Sequence, residues 1–247
     1  MQPQVPPGWY PDPWYPSSVR YWDGSTWTSY AQAAGPSLSI DLNSVRTWAK
    51  RVPVAFWARA AAGAISAVVS PLVVGNAWHD AVNDDRPATV GFNFGFGFGG
   101  GGNAGLQLLS LVSLGALIVL MIWGHHITQT ARALGLQTTL SPGWAAAGWL
   151  VPIVSFWFPY QTVRDALPPG HPARSQAGVW WGLHIGTTVI GFIATFAAIA
   201  SPGVGAIIGC LGAACALGAG YFGHELATAI GDAHERIATT AMTGVRL

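Results

Sequence analysis

The stretch from Ser141 to Leu167, SPGWAAAGWLVPIVSFWFPYQTVRDAL, decides which fold is expected for the whole chain. It is nearly as apolar as a membrane span, yet Pro142, Pro152 and Pro159 interrupt it, and proline breaks or kinks a helix interior. Irregular backbone at membrane depth is tolerated only where protein or water satisfies its polar groups. We therefore expect residues 142–160 to form a helix–break–helix segment that re-enters the membrane or lies at its interface.

The composition outside this stretch also indicates a membrane protein. Charged residues make up 9% of the 247 residues and hydrophobic residues 51%, whereas charged residues make up about 25% of ordinary soluble domains. Four long apolar runs predict an all-α integral membrane helical bundle whose partner is the lipid bilayer. The four predicted spans are residues 60–78, 106–124, 179–200 and 203–222. A net charge of +1 gives no reason to expect a nucleic-acid partner.

The distribution of basic residues predicts the topology. With a cytoplasmic N-terminus and four spans, Arg86 is the one basic residue of 11 that lies outside. If residues 142–160 cross as well, five arginines lie outside, which the positive-inside rule disfavours. We favour four spans in the plasma membrane. Five spans are the alternative, because about 19 residues suffice for a crossing.

The chain divides into an N-terminal module (residues 1–32), a linker (33–43) and a membrane domain (44–244). In the module, Asp23-Gly24 lies between aromatic runs, which is typical of a β-hairpin turn. We expect two or three strands, with Trp9, Trp22 and Trp27 stacked on the module's prolines. Either these tryptophans bind a proline-rich protein partner or the module's own prolines already cover them, and we favour the second.

The membrane domain contains further predicted segments. Residues 41–56 are predicted as a juxtamembrane helix, and residues 79–105 as a loop containing the run GFNFGFGFGGGG. Residues 224–242 are predicted as an amphipathic helix at the interface. Arg59, at the edge of the first span, is expected to snorkel outward.

Two sets of residues resemble known families. Gly8-Trp9-Tyr-Pro-Asp-Pro13, followed by Arg20-Tyr-Trp22-Asp23-Gly24 and Trp27-Thr28, resembles the short Trp-rich actinobacterial domain of unknown function 2510. The central stretch resembles the signature of the actinobacterial multi-span domain of unknown function 4328, over about residues 45–244. Neither resemblance implies an activity. It does identify the motif candidates, which are Pro142, Gly143, Trp144, Trp149, Pro152, Pro159, Tyr160 and Arg164.

Polar residues in the apolar runs are few. His184 lies in the third span, where an ionisable residue is a functional candidate; the alternative, which we favour, is a neutral histidine bonded to a carbonyl or water. His125 and His126 lack the further ligands that a metal site needs. We therefore expect no catalytic residue, metal or cofactor.

Small residues recur on two predicted spans, as Gly182-x-x-x-Gly186 and Gly205-x-x-x-Gly209. Such spacing lets helix backbones approach closely. The helices pack either within one chain or in a homo-oligomer, and both alternatives stay open.

Two functions fit these features. The first is a non-enzymatic envelope scaffold or interaction protein that uses the cytoplasmic module. The alternative is a small transporter or channel-like unit in which the Pro152 segment and His184 line a cavity. We favour the scaffold, because the spans carry almost no charge. An intramembrane enzyme ranks third.

The topology predicts a labelling pattern. Single cysteines at Gln161, Gln176 and Thr243, in a variant lacking Cys210 and Cys215, should all react from the cytoplasmic side. Reaction of the first two from outside would instead show five crossings.

Overall fold

A computed structural model describes residues 6–15, 18–33, 41–84 and 104–243. The chain forms two compact units, Met1–Ile40 and Asp41–Leu247. Most of the predicted linker, the glycine- and phenylalanine-rich run and Arg86 lie outside the described residues.

The first unit is a three-stranded antiparallel sheet. Its strands are β1 (Gly8–Pro11), β2 (Ser18–Trp22) and β3 (Trp27–Ala33), in the order β1-β2-β3. The β2–β3 turn contains Gly24 with φ of +99°, a conformation that favours glycine. The predicted hairpin at Asp23-Gly24 is therefore confirmed.

Aromatic rings pair across the strands of this sheet. Trp22 lies opposite Trp27, and their ring centroids are 5.2 Å apart. Trp9 lies opposite Tyr21, at 5.5 Å. Edge-on ring pairs thus supply part of the small core, and the stacking of tryptophans on prolines stays a prediction.

The second unit is helical. Its helices are α1 (Leu42–Asp84), α2 (Ala104–Ala133), α3 (Pro142–Ala147), α4 (Phe158–Asp165), α5 (Gln176–Ala200) and α6 (Pro202–Thr243). Short 3-10 turns lie at Val154–Phe156 and Pro172–Arg174. Helices α1, α2, α5 and α6 are long and apolar enough to cross a membrane. The prediction of a mostly helical chain with four candidate spans is confirmed.

Several predicted boundaries were wrong. The juxtamembrane helix and the first span form one helix, α1, although it contains Pro53 and Pro71. Both prolines are buried, and burial within a helical bundle lets a helix tolerate the lost backbone bond. The predicted loop 79–105 is helical at both ends, and α2 continues to Ala133, past the predicted end of the second span at residue 124, so that it contains His125 and His126.

Helices α1 and α6 pack antiparallel at very short range. An added Cβ at Gly220 would lie 2.5 Å from Ala60 Cβ, and one at Gly209 would overlap the carbonyl oxygen of Ala67. Close approach without side chains maximises van der Waals contact, which holds helices together in lipid. Gly209 therefore packs within the chain.

The same pairing continues along the last part of α6. Leu226 and Ile230 are buried against the rest of the unit, and Arg46 of α1 bonds Glu235 of α6 at 2.6 Å. The amphipathic face of residues 224–242 thus packs largely on protein. This packing explains its apolar side chains, and a position at the lipid interface stays a prediction.

Both ends of the central stretch lie at one end of the helical unit. Thr139 Oγ1 donates a hydrogen bond to Asp165 Oδ2 at 2.6 Å, so a residue just before the stretch contacts a residue near its end. His234, near the end of α6, bonds the carbonyl oxygen of Ala166 at 2.8 Å. We call this end, where Ser44, His126, Ala166 and His234 lie, the proximal end. A crossing would separate Thr139 from Asp165 by about 30 Å.

The prolines explain why the stretch breaks. Pro142 and Pro159 occupy the first turns of α3 and α4, where the missing N–H is harmless. Between them, residues 148–157 form turns and one 3-10 turn rather than a continuous α-helix.

The α1–α6 contact predicts a sharp glycine requirement. Gly209→Ala should destabilise the protein by about 1–3 kcal/mol, because its Cβ overlaps backbone. Gly115→Ala is the matched control, since its Cβ would meet no atom within 4 Å and alanine favours helix by about 1 kcal/mol. Thermal unfolding in detergent measures both, and equal Tm values would contradict the close packing.

Candidate functional site

A cavity of about 170 Å³ lies between α1, α2, α5 and α6. Phe56, Trp149 and Trp180 line it toward the proximal end, and Val74 and Phe196 line it toward the other end. Most of the wall is apolar, but hydroxyl groups line it at several levels. They belong to Ser66, Ser70, Ser110, Ser113, Thr187, Thr188 and Thr195.

Arg59 lines this cavity from α1. The prediction that it snorkels outward was wrong, because its side chain turns into the bundle and Nη1 donates to the carbonyl oxygen of Ser113 at 3.4 Å. Its Nε is buried without a hydrogen-bond partner. Within the described ranges, no carboxylate pairs with the guanidinium. A buried, incompletely satisfied cation is costly, so its place here needs an explanation.

His184 lies in the same wall, among three tryptophans. Its ring stacks on Trp181 at 4.9 Å, and it meets Trp149 edge-on at 6.2 Å. The structure thus brings together His184 and Trp149, which were predicted separately. The predicted bond of a neutral His184 to a carbonyl or water stays a prediction.

Two neighbouring tryptophans differ in their hydrogen bonding. Trp181 Nε1 donates to the carbonyl oxygen of Phe156 at 2.6 Å. Trp149 Nε1 is buried and has no partner. Because indole nitrogen only donates, Trp149 presents an unused donor at the cavity.

Residues that precede Trp149 in the central stretch fix its position. Ser141 caps α3 by accepting a hydrogen bond from Trp144 N, and Gly148 ends it. A Cβ at Gly148 would lie 2.7 Å from the Phe158 ring, so only glycine fits there. The tight turn after α3 then directs Trp149 inward.

The remaining motif residues lie away from the cavity lining. Gly143, Trp144 and Pro152 are exposed, and Pro159 is buried at the start of α4. Arg164 lies over the Tyr160 ring at 5.3 Å. These residues shape the stretch rather than the site.

Asp165 connects the stretch to its flanking segments. Its carboxylate is 5% exposed and accepts hydrogen bonds from Thr139 N and Oγ1 and from Arg164 Nε. Burial alone would raise the pKa of Asp165, but the bonds from Arg164 and Thr139 outweigh burial and hold that pKa below its usual range. The carboxylate is thus a structural anchor in its charged form.

The N-terminal module has its own ordered polar groups. Asp23 accepts from Ser25 N at 2.8 Å and from Thr26 N at 2.6 Å, which lowers its pKa and fixes the turn before β3. Gly8 lies beside the Tyr10 ring in β1. Trp22 and Trp27 are half-buried in their mutual contact, whereas Trp9 is 47% exposed and Trp14 62% exposed.

No group of three or more His, Cys, Asp or Glu side chains that fits a metal ion occurs among residues 6–15, 18–33, 41–84 and 104–243. His126 instead bonds Ser44 Oγ at 2.8 Å and packs on Trp48. His126 therefore has a packing role at the proximal end, whereas His125 is exposed.

Comparison with known families follows the two units. A family model described as "Domain of unknown function (DUF4328)" matches residues 102–217, and one described as "Protein of unknown function (DUF2510)" matches residues 7–38. Both matches are to the predicted families, in the predicted order. The DUF4328 match is shorter than the predicted range 45–244 and contains Ser110, Trp149 and His184, while Arg59 lies before it. No curated protein and no solved structure matched the chain.

Sequence reasoning gave a cavity beside His184 only within the alternative function, and it missed the inward arginine. A signal was present, because Ser66 and Ser70 lie at positions i and i+4 of α1, on the face that Gly63 shares. That polar stripe within a span marks an interior face, which Arg59 joins one turn earlier.

The anchor at Asp165 predicts a pH-dependent stability. Asp165→Asn should cost about 1–3 kcal/mol at neutral pH, because a buried, bonded carboxylate is lost. A lowered pKa means that this stabilisation is present above the ordinary value of 3.8 and is lost as pH falls through the folded-state pKa.

Thermal unfolding in detergent from neutral pH to below 3.8 tests this. The Tm of the unmodified protein should fall more on acidification than that of Asp165→Asn. Asp232→Asn, which changes an exposed carboxylate, is the control. Parallel Tm profiles of all three proteins would contradict the anchor.

Proposed function

We propose that this protein is a four-crossing integral membrane protein of the plasma membrane, with its N-terminus and its proximal end in the cytoplasm. Large apolar side chains that face outward support embedding of the four long helices. They include Leu108, Leu111, Ile118, Phe196, Ile207 and Leu211. The contact between Thr139 and Asp165 supports four crossings over five, because it returns the stretch to the end where it began.

The stretch itself suits the membrane interface under this proposal. Ile153 is 73% exposed, and Phe156 and Trp157 are also exposed. Aromatic side chains favour the headgroup level of a bilayer. An interfacial segment that dips toward lipid therefore fits both its sequence and its exposed side.

The function that the geometry supports best is a non-enzymatic carrier that binds a small solute in the cavity. One observation supports it most: Arg59 is partly buried in a cavity wall, its Nε is buried without a hydrogen-bond partner, and no carboxylate of the described residues pairs with it. Ionisable residues inside spanning bundles commonly mark a substrate path. The small number of charged residues in the spans argued for a scaffold. One of these few residues, Arg59, lines the cavity and favours a carrier instead.

A carrier fits better than an open channel. The ring of Phe56 packs edge-on against Trp123 and Trp180 at the proximal side of the cavity. Beyond the cavity, an added Cβ at Gly75 would lie 2.7 Å from the carbonyl oxygen of Ala198, so α1 and α5 pack tightly there. A solute in the cavity would lie between the ring contacts of Phe56 and the α1–α5 contact at Gly75. One of these two contacts would have to open for the solute to enter or leave.

An envelope scaffold is the second candidate. The exposed Trp9, Trp14, Tyr15 and Tyr30 of the module favour it, since exposed aromatics are typical of protein interfaces. Trp22 and Trp27 support each other, so their replacement would test folding rather than partner binding. A scaffold would lose partner capture on Trp14→Ala and would be insensitive to changes in the cavity.

Filling the cavity distinguishes the two functions. Thr188→Phe places a ring in the cavity wall, whereas Val189→Phe enlarges an adjacent side chain that is 48% exposed on the outside of α5. In proteoliposomes, uptake of organic anions and of neutral solutes should fall at least tenfold in Thr188→Phe and stay near the unmodified level in Val189→Phe. Absence of uptake by the unmodified protein for every solute, at acidic and neutral pH, would contradict a carrier.

A further inference from the structure

We propose that the cavity binds a monovalent oxyanion attached to a small apolar body, such as a short-chain or aromatic carboxylate. This inference rests on the proposed function, in that it names the class of solute which the cavity holds. It follows from the donors, the charge and the size of the cavity.

The unused polar groups of the cavity wall can all donate. Arg59, Trp149 and Ser110 line the cavity, and the buried atoms Arg59 Nε, Trp149 Nε1 and Ser110 Oγ have no hydrogen-bond partner. Guanidinium and indole nitrogens carry protons and cannot accept, and a hydroxyl can donate. A buried donor without a partner costs about 1–3 kcal/mol. A ligand that supplies acceptor oxygens removes this cost at each donor that it reaches.

The charge of the wall selects an anion with one negative charge. Arg59 is the one lysine or arginine among the lining residues, and none of them is aspartate or glutamate. Water would accept hydrogen bonds but would leave the buried cation uncompensated. A carboxylate both accepts and neutralises. A doubly charged phosphate would exceed the available cation by one charge.

The remaining wall selects an apolar body of limited size. Phe56, Ala60, Leu120, Ala216 and Ala219 supply much of the apolar lining. A dry engineered cavity of about 150 Å³ binds benzene, so about 170 Å³ accommodates a body of similar size with a carboxylate.

A side entrance for such a ligand lies between α2 and α5. Helix α2 packs against α1, α3 and α4 but hardly against α5. Both helices nevertheless line the cavity, through Ser110 and Leu120 on one side and Thr187 and Gly191 on the other. A carboxylic acid that partitions into the bilayer would reach Arg59 through this gap, and a longer tail would remain in lipid.

Binding to the full-length protein in detergent tests the inference. Benzoate, benzamide and decanoate are added separately, and binding is measured by thermal shift and by equilibrium binding of radiolabelled benzoate. We expect saturable stabilisation by benzoate and by decanoate, and none by the neutral benzamide. Benzoate alone would indicate an aqueous solute, and decanoate binding at least tenfold tighter would indicate a ligand taken from the membrane; either agrees with the oxyanion site.

Two variants with matched controls locate the site. Arg59→Gln should weaken benzoate binding at least tenfold, and Trp149→Phe, which removes the indole N–H but keeps a ring, should weaken it severalfold. Arg46→Gln and Trp144→Phe change the same residue types outside the cavity and should bind benzoate like the unmodified protein.

Stability without ligand separates a binding role of Arg59 from a structural one. Arg59→Gln should raise the Tm of the empty protein, because it removes an unpaired buried charge. A lowered Tm, an equal effect of benzamide, unchanged benzoate affinity in both Arg59→Gln and Trp149→Phe, or no saturable benzoate or decanoate binding would each overturn the inference.

The result is separable from the carrier proposal. Saturable benzoate binding without uptake in proteoliposomes would leave the oxyanion site standing and remove the carrier. Uptake of neutral solutes that Thr188→Phe blocks, without benzoate binding, would remove the oxyanion site and leave the carrier.

Discussion

The close antiparallel contact of α1 and α6 is the constraint on which the helical unit depends. In lipid, apolar surface gains little by leaving its surroundings, so helix association relies on short-range packing. Glycine at positions 209 and 220 allows backbone-to-backbone approach. At 43 and 42 residues, the two helices extend about 60 Å at 1.5 Å per residue, about twice the bilayer core. Helices α2 and α5 both pack on this pair.

The cavity is a consequence of that arrangement. Helices α5 and α6 are joined by the short turn at Ser201 and pack along their length, and α1 completes a group of three. Helix α2 approaches the group from the α1 side and stays apart from α5. Side chains that point inward from each helix line the space between them. They include one arginine and several serine and threonine hydroxyls. The separation of α2 from α5 therefore determines both how the helices pack and where the cavity lies.

Much of the architecture follows from sequence patterns with a local physical cause. Long apolar runs predict the four helices, and Asp23-Gly24 predicts the hairpin because glycine accepts its positive φ. Pro142 and Pro159 predict the breaks because proline lacks the backbone N–H that a helix interior needs. Features that depend on distant partners were not predictable. The continuity of α1 past Pro53, the inward turn of Arg59 and the bond between Thr139 and Asp165 are decided by neighbours that lie far along the chain.

The hydrogen bonds at Asp165 and Ala166 set how the central stretch is able to move. The bond between Thr139 and Asp165 joins the start of the stretch to its end. The bond from His234 to the carbonyl oxygen of Ala166 attaches that end to α6. Both edges of the segment are therefore attached to the bundle, and the bond from Trp181 Nε1 to the carbonyl oxygen of Phe156 attaches its middle as well. That middle part carries the indole that borders the cavity and the exposed side chains of Ile153, Phe156 and Trp157. Because the segment is held at three points, Trp149 keeps a fixed position beside the cavity.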